Sequence, residues 1–149
     1  MSAFIAANST FDNDGFWPDI DPQAVTTVLG LTANVTPVRL EQAVLDAMLC
    51  LNRELRPLKQ GWRAEGYNTL AEVPAERLHG HSVWLLLYRR ALYCAAGARL
   101  CEFARTDDGI GDGQRRPHAL THAADDYRRA YRQALSELQG SSCAWVEPA

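Results

Sequence analysis

No stretch of the chain approaches the roughly 20 consecutive apolar residues that a bilayer-spanning helix requires, so no such helix is expected. The first ten residues, Met1 to Thr10, have neither the basic start nor the apolar run of a secretory signal, and synthesis and use in a cytoplasm are expected. The four cysteines, Cys50, Cys94, Cys101 and Cys143, include no C-x-x-C pair, and three lie in apolar helical stretches; reduced, buried thiols are the expectation. Sustained period-two alternation is absent, as are internal repeats, which argues against a sheet protein or a solenoid. A basic global field is also missing: the net charge is -3, so nothing in the overall balance would hold nucleic acid. Lysine occurs once, at Lys59, and the other fourteen of the fifteen basic residues are arginine. Arginine suits bidentate contacts with carboxylates at interfaces, although a GC-rich genome gives the same bias.

What is present is a packed globular composition, with 47% hydrophobic residues, 22% charged residues and four tryptophans in 149 residues. A single domain of this length hides roughly 70% of the surface its unfolded chain exposes, and needs neither metal nor disulfide to do so. Asp12, Asp14, Asp19 and Asp21 are the only charged side chains before Arg39, so residues 1–20 read as an extended acidic arm. Asp21-Pro22 then gives an N-cap with proline at the first helical position, opening a short helix that Gly30 closes. Thr36-Pro37 repeats the signal, and Leu40, Val44, Ala47, Leu51 and Leu55 recur on one face of a long helix that runs to about Arg56. Pro57 should kink or end it, with a turn or two continuing to Ala64 and an end by Gly66. Asn68 to Gly80 reads as a connection with one helical turn near Leu70. Ser82 is a plausible N-cap for the most apolar stretch, Val83 to Ala104, where Trp84 and Leu87 should be core. Thr106 to Pro117 has a loop composition. A last helix carries Leu120, Ala124, Tyr127, Tyr131, Ala134 and Leu138 on one face and stops at Gly140. The reading is all-α: three main helices and a short N-terminal one over residues 21–140, followed by an extended tail, 141–149.

Chemistry is sparse in this sequence. His79-Gly80-His81 offers two imidazoles, but a zinc site needs three or four ligands and none stands at the right spacing. Asp12-Asn13-Asp14-Gly15 opens like a calcium loop yet lacks the later oxygen ligands and the closing glutamate. Gly109, Gly111 and Gly113 lie among acids, without the strand and helix of a phosphate cradle. No nucleophile motif of the G-x-S-x-G type occurs. No catalytic residue, metal site or cofactor is therefore expected. Arg53, Arg56, Lys59 and Arg63 can line one strip and Arg128, Arg129 and Arg132 a second. Such strips are usually solvated faces, but they are also what a DNA-facing or carboxylate-facing surface uses.

Four segments form a recognisable series: Gly15-Phe16-Trp17-Pro18-Asp19-Ile20-Asp21, Leu51-Asn52-Arg53-Glu54-Leu55, Gly66-Tyr67-Asn68-Thr69-Leu70-Ala71-Glu72-Val73-Pro74 and Leu87-Tyr88-Arg89-Arg90-Ala91-Leu92-Tyr93. In their order and spacing they resemble the L-type head completion proteins of peduoviruses, phages with contractile tails. The resemblance extends from about Phe16 to the last helix and excludes the glycine-rich loop. It implies a structural virion protein in the neck between head and tail, added after genome packaging as a ring of like copies on the portal protein. Its further implied partners are a tail completion or tail terminator protein, and packaged DNA that passes through the channel without sequence-specific contact. A helical DNA-binding or regulatory protein using the last helix is the alternative; Asp125 and Asp126 beside its arginines count against it.

The candidate interface residues are Trp17, Asp19, Asp21, Arg53, Arg56, Arg63, Arg128, Arg129, Arg132, Trp145 and Val146. Phe16-Trp17-Pro18 is a large apolar contact without a helix of its own, which either anchors a partner or covers its own bundle. Trp145 and Val146, at the end of the chain, either add to a partner's sheet edge or fold back over the bundle.

Overall fold

The computed structural model describes residues 10–31, 35–108 and 116–140, with the backbone alone at 107–108 and 116–122. It is mainly helical. Five α-helices occur among the described residues: α1, Pro22–Leu29; α2, Pro37–Glu54; α3, Arg56–Ala64; α4, Val83–Asp108; and α5, Arg116–Leu138. A single 3₁₀ turn, Leu70–Glu72, and a two-stranded antiparallel hairpin, β1 Arg77–Leu78 and β2 His81–Ser82, connect α3 to α4.

The helix starts follow from local chemistry. Asp21 accepts from the Gln23 amide at 2.9 Å and Thr36 from the Arg39 amide at 3.2 Å, each ahead of a proline whose missing N–H costs nothing in a first turn. Gly30 ends α1 in the left-handed region, at φ 61°. Between α2 and α3 only Leu55 intervenes, and its side chain is fully buried. Pro57 lacks the donor that would continue the α2 ladder, so α2 ends at Glu54 and α3 begins at Arg56.

The helix α4 runs between α2 and α5 and packs along both, which is why it is apolar on more than one side. Val44, Leu51, Leu55, Tyr88, Leu92 and Leu138 lie at the centre, each at most 1% exposed. Gly97 of α4 faces the Tyr127 ring of α5. A Cβ there would stand 3.1 Å from the Tyr127 ring, so the glycine lets the two helices close up.

Several expectations are corrected. Residues 10–20 are no extended arm: they fold onto the helices. Ser82 does not cap α4; its buried hydroxyl makes no hydrogen bond among the described residues and it belongs to β2. Trp84 is half-buried, and its indole N–H donates to the Pro74 carbonyl at 3.1 Å. Both helices flanking the glycine-rich segment run further than composition suggests: α4 takes in Thr106 to Asp108 and α5 starts at Arg116. Residues 109–115 and the tail 141–149 lie outside the described residues.

Candidate assembly interface

The N-terminal segment is a pinned loop. Phe11 and Ile20 exchange two backbone hydrogen bonds, 2.7 and 3.0 Å, and so close its base. Inside, the Asp14 carboxylate accepts from the Phe16 and Trp17 amides at 3.0 Å each, an Asx-type turn that Gly15 completes at φ 92°. The other carboxylate oxygen of Asp14 meets the Lys59 ammonium at 2.6 Å. Burial pushes this carboxyl up, but Lys59 and the two amides outweigh it and hold it below the usual carboxylate range. Asp19 accepts from the Asn13 amide at 2.9 Å.

A closed polar ring joins this loop to the helices. The Asn13 amide nitrogen donates to the Tyr88 hydroxyl at 2.8 Å, that hydroxyl donates to Asn52 Oδ1 at 2.6 Å, and Asn52 Nδ2 donates back to Asn13 Oδ1 at 2.8 Å. Each member gives one bond and receives one around the cycle, an arrangement in which the bonds polarise one another. Beside it the Trp17 indole stacks on the Tyr88 ring at 4.9 Å and 8°, and Phe16 and Trp62 pack edge-on to the same indole. The Leu70 amide donates to the Phe16 carbonyl at 2.9 Å. The four recognised segments therefore meet at one place: Asn13 stands just before the first, and Asn52, Leu70 and Tyr88 come from the other three.

Trp17 is 2% exposed, so the reading in which it covers its own helices is the one the geometry supports, and it presents no face to a partner. Asp19 and Asp21 remain exposed on the outer side of the loop, each with one carboxylate oxygen committed to backbone.

Below the loop, an open groove of about 490 Å³ runs between it and the outer side of α2 and α3. Leu45, Met48 and Leu49 line it together with Arg53, Arg56, Lys59 and, from the loop, Asp12 to Asp14. Leu49 is 67% and Leu45 42% exposed. Arg53, Arg56 and Arg63 are exposed and form no ion pair or hydrogen bond among the described residues, whereas Lys59 is spent on Asp14.

The arginines of α5 are differently placed. Arg128 pairs with Glu102 of α4 and, at 3.2 Å, with Asp125; Arg129 lies 3.6 Å from Asp126; Arg132 is exposed. Arg128 lines a separate pocket of about 220 Å³ with Asp46, Cys50, Arg99 and Tyr131, so the two basic strips are not brought together. Cys50 corrects the expectation of buried thiols: it is exposed, with its sulfur 3.6 Å from the Tyr131 hydroxyl, and Cys94 and Cys101 are half-buried. His79 and His81 are exposed in the hairpin, and no cluster of three metal-ligating side chains occurs among the described residues. Of the acids in the supposed calcium loop, Asp14 is turned to the Phe16 and Trp17 amides and to Lys59. Trp145 and Val146 lie outside the described residues.

The polar ring was the feature that sequence reasoning missed. Its only local sign is the asparagine inside each of two recognised surroundings, Asn13 before the glycine-aromatic run and Asn52 amid apolar α2 positions.

Comparison with known proteins gives a consistent result. Residues 11–148 match a family model described as phage head completion protein (GPL). The chain is 34% identical over 128 residues to the head completion/stabilization protein of Escherichia phage P2, covering 86% of this chain and 76% of that protein. No solved structure matches.

Proposed function

The chain belongs to the phage head completion protein (GPL) family, and from that premise we propose that it assembles as a ring of like copies on the portal protein, in the neck of the virion. The ring helps to retain packaged DNA and offers the surface to which a tail completion or tail terminator protein joins. DNA passes through its channel without sequence-specific contact. The observation that carries this reading is the family match across nearly the whole chain, which includes every element of the polar ring. The chemistry agrees with a part that works by being contacted: exposed carboxylates at Asp19 and Asp21, and exposed guanidiniums at Arg53, Arg56, Arg63, Arg129 and Arg132. Rings are built from two complementary patches on each copy, one meeting the other on the neighbour. A helix that reads DNA would instead present a continuous basic face, and on α5 two of the three arginines are matched by carboxylates.

The test uses DNA-filled heads made without this chain. Added protein should sediment with the heads, appear as a ring at the portal vertex by electron microscopy, and raise the amount of nuclease-protected DNA. Binding to free duplex DNA with no binding to heads is the result that refutes the proposal.

A further inference from the structure

The outer side of α2 carries a row of side chains that is complementary to itself. Glu41, Leu45, Leu49 and Arg53 follow one another four residues apart, so they form one inclined ridge that rises about 18 Å along the helix. The two leucines in its middle are exposed, and Val38, one turn before Glu41, adds another exposed apolar side chain. Its ends are an anion and a cation. Glu41 is half-buried and Arg53 exposed, and neither forms an ion pair or hydrogen bond among the described residues. The acid one row over is already satisfied within the chain: Asp46 accepts from Gln42 at 3.0 Å and pairs with Arg99 at 2.9 Å.

What fits this ridge must bring a cation to Glu41, apolar side chains to the leucines and a carboxylate to Arg53. The same ridge on a second copy, run in the opposite direction, does so. With a two-fold axis level with Ala47, Leu45 of each copy meets Leu49 of the other, and Glu41 of each meets Arg53 of the other. Rows of this spacing on two helices interdigitate at a crossing of about 50°, and the long glutamate and arginine side chains reach across at the ends. The parallel arrangement would set Glu41 against Glu41 and Arg53 against Arg53, so like charges exclude it. A nucleic acid would satisfy Arg53 alone and set phosphates against Glu41 and both leucines.

We propose that α2 is a self-association surface, through which free copies of the chain pair as a two-fold dimer along this ridge. One helix crossing is small beside the roughly 1,200 Å² from which stable interfaces begin, so the pair is weak and reversible. The inference does not rest on the ring reading: a two-fold contact closes on itself and cannot run around a ring, so it belongs to copies not yet placed in a head. It is tested by sedimentation velocity on the purified full chain over a range of micromolar concentrations. A monomer–dimer equilibrium that weakens as salt is raised is expected. Glu41→Arg alone and Arg53→Glu alone each turn two attractive pairs into two repulsive ones, and each should weaken the dimer at least about tenfold. Glu41→Arg combined with Arg53→Glu in one chain restores both pairs with their signs exchanged and should restore the dimer. A mixture of the two singly substituted chains should likewise give a heterodimer that neither forms alone. A parent chain that stays monomeric throughout, or that forms trimers or larger species, overturns the proposal. So does a dimer unaffected by the single substitutions, or a loss that the double substitution does not reverse.

Discussion

Replacing Tyr88 by phenylalanine isolates the polar ring from everything around it. The phenyl group keeps the stack on Trp17, so burial and aromatic packing stay, and only the hydroxyl is lost. That loss leaves Asn52 Oδ1 without its donor and removes one of the two acceptors of Asn13 Nδ2, which keeps the Pro18 carbonyl at 2.9 Å. A buried polar group deprived of its partner costs about 1 to 3 kcal/mol. Because burial pushes the Tyr88 phenol well up, it remains a donor at every pH where the protein is handled, and the cost should not vary between about pH 6 and 9. Urea unfolding should therefore show a lower midpoint with an unchanged slope, and the melting temperature should fall by about 2 to 4 °C per kcal/mol. Asn52→Ala alone should cost a similar amount, but the ring is broken once by either change. The double variant should then fall short of the sum by at least about 0.5 kcal/mol. A Tyr88→Phe effect within about 0.5 kcal/mol of zero, or strict additivity with Asn52→Ala, would mean that the three hydrogen bonds do not act as a unit.

Trp17→Ala should destabilise the isolated chain by about 3 to 5 kcal/mol, since the indole fills the core and contacts three other aromatic rings; a variant of normal stability that fails only in assembly would restore the anchor reading. The Asp14 carboxyl titrates lower in the folded chain than in the unfolded one, so it stabilises above the unfolded value near 3.9 and that contribution is lost as pH falls through the folded value. Lys59→Met should cost less than about 1 kcal/mol near neutrality, because the pair is partly solvated, and the difference from the parent should shrink in acid; a gap that stays constant down to about pH 2 counts against the pair. Gly97→Leu should cost about 1 to 3 kcal/mol or more in thermal unfolding, and an unchanged melting temperature would show that α4 and α5 do not approach as described.

The helices were legible wherever the signal is local. Asp21-Pro22, Thr36-Pro37 and Gly30 act within a few residues of themselves, and Pro57 interrupts the helical ladder by its own covalent structure. The short hairpin was not legible: strands of two residues have no period, and what holds it is the Arg77 side chain on the Gly80 carbonyl at 2.7 Å and the Val83 amide on Glu76. The acidic arm was misread for a more instructive reason. Aspartates ahead of a helix suggest a solvated segment, yet Asp14 and Asp19 are spent on backbone amides of their own loop, and Asn13 finds its partners at Asn52 and Tyr88. Nothing within the segment reveals those partners. The resemblance of the four segments to a family was visible before any reason for it, and the reason is spatial: each supplies or flanks a member of one packed cluster. The candidate arginines carry one and the same signal in the sequence, and only the fold separates Arg128, already paired, from Arg53 and Arg56.

The same loop sets a schedule for biosynthesis. Asn13, Phe16 and Trp17 leave the ribosome well before Tyr88, the hydroxyl that closes the ring and the surface on which the indole lies, which is 75 residues downstream of Asn13. At roughly 5 to 20 residues per second the wait lasts several seconds. Throughout it the Trp17 indole lacks the ring on which it stacks, and neither α1 nor α2 can supply it, because Tyr88 belongs to α4. The nascent chain is thus most prone to aggregation or capture by a chaperone before residue 88 has emerged, and slow elongation between Trp17 and α4 lengthens that interval.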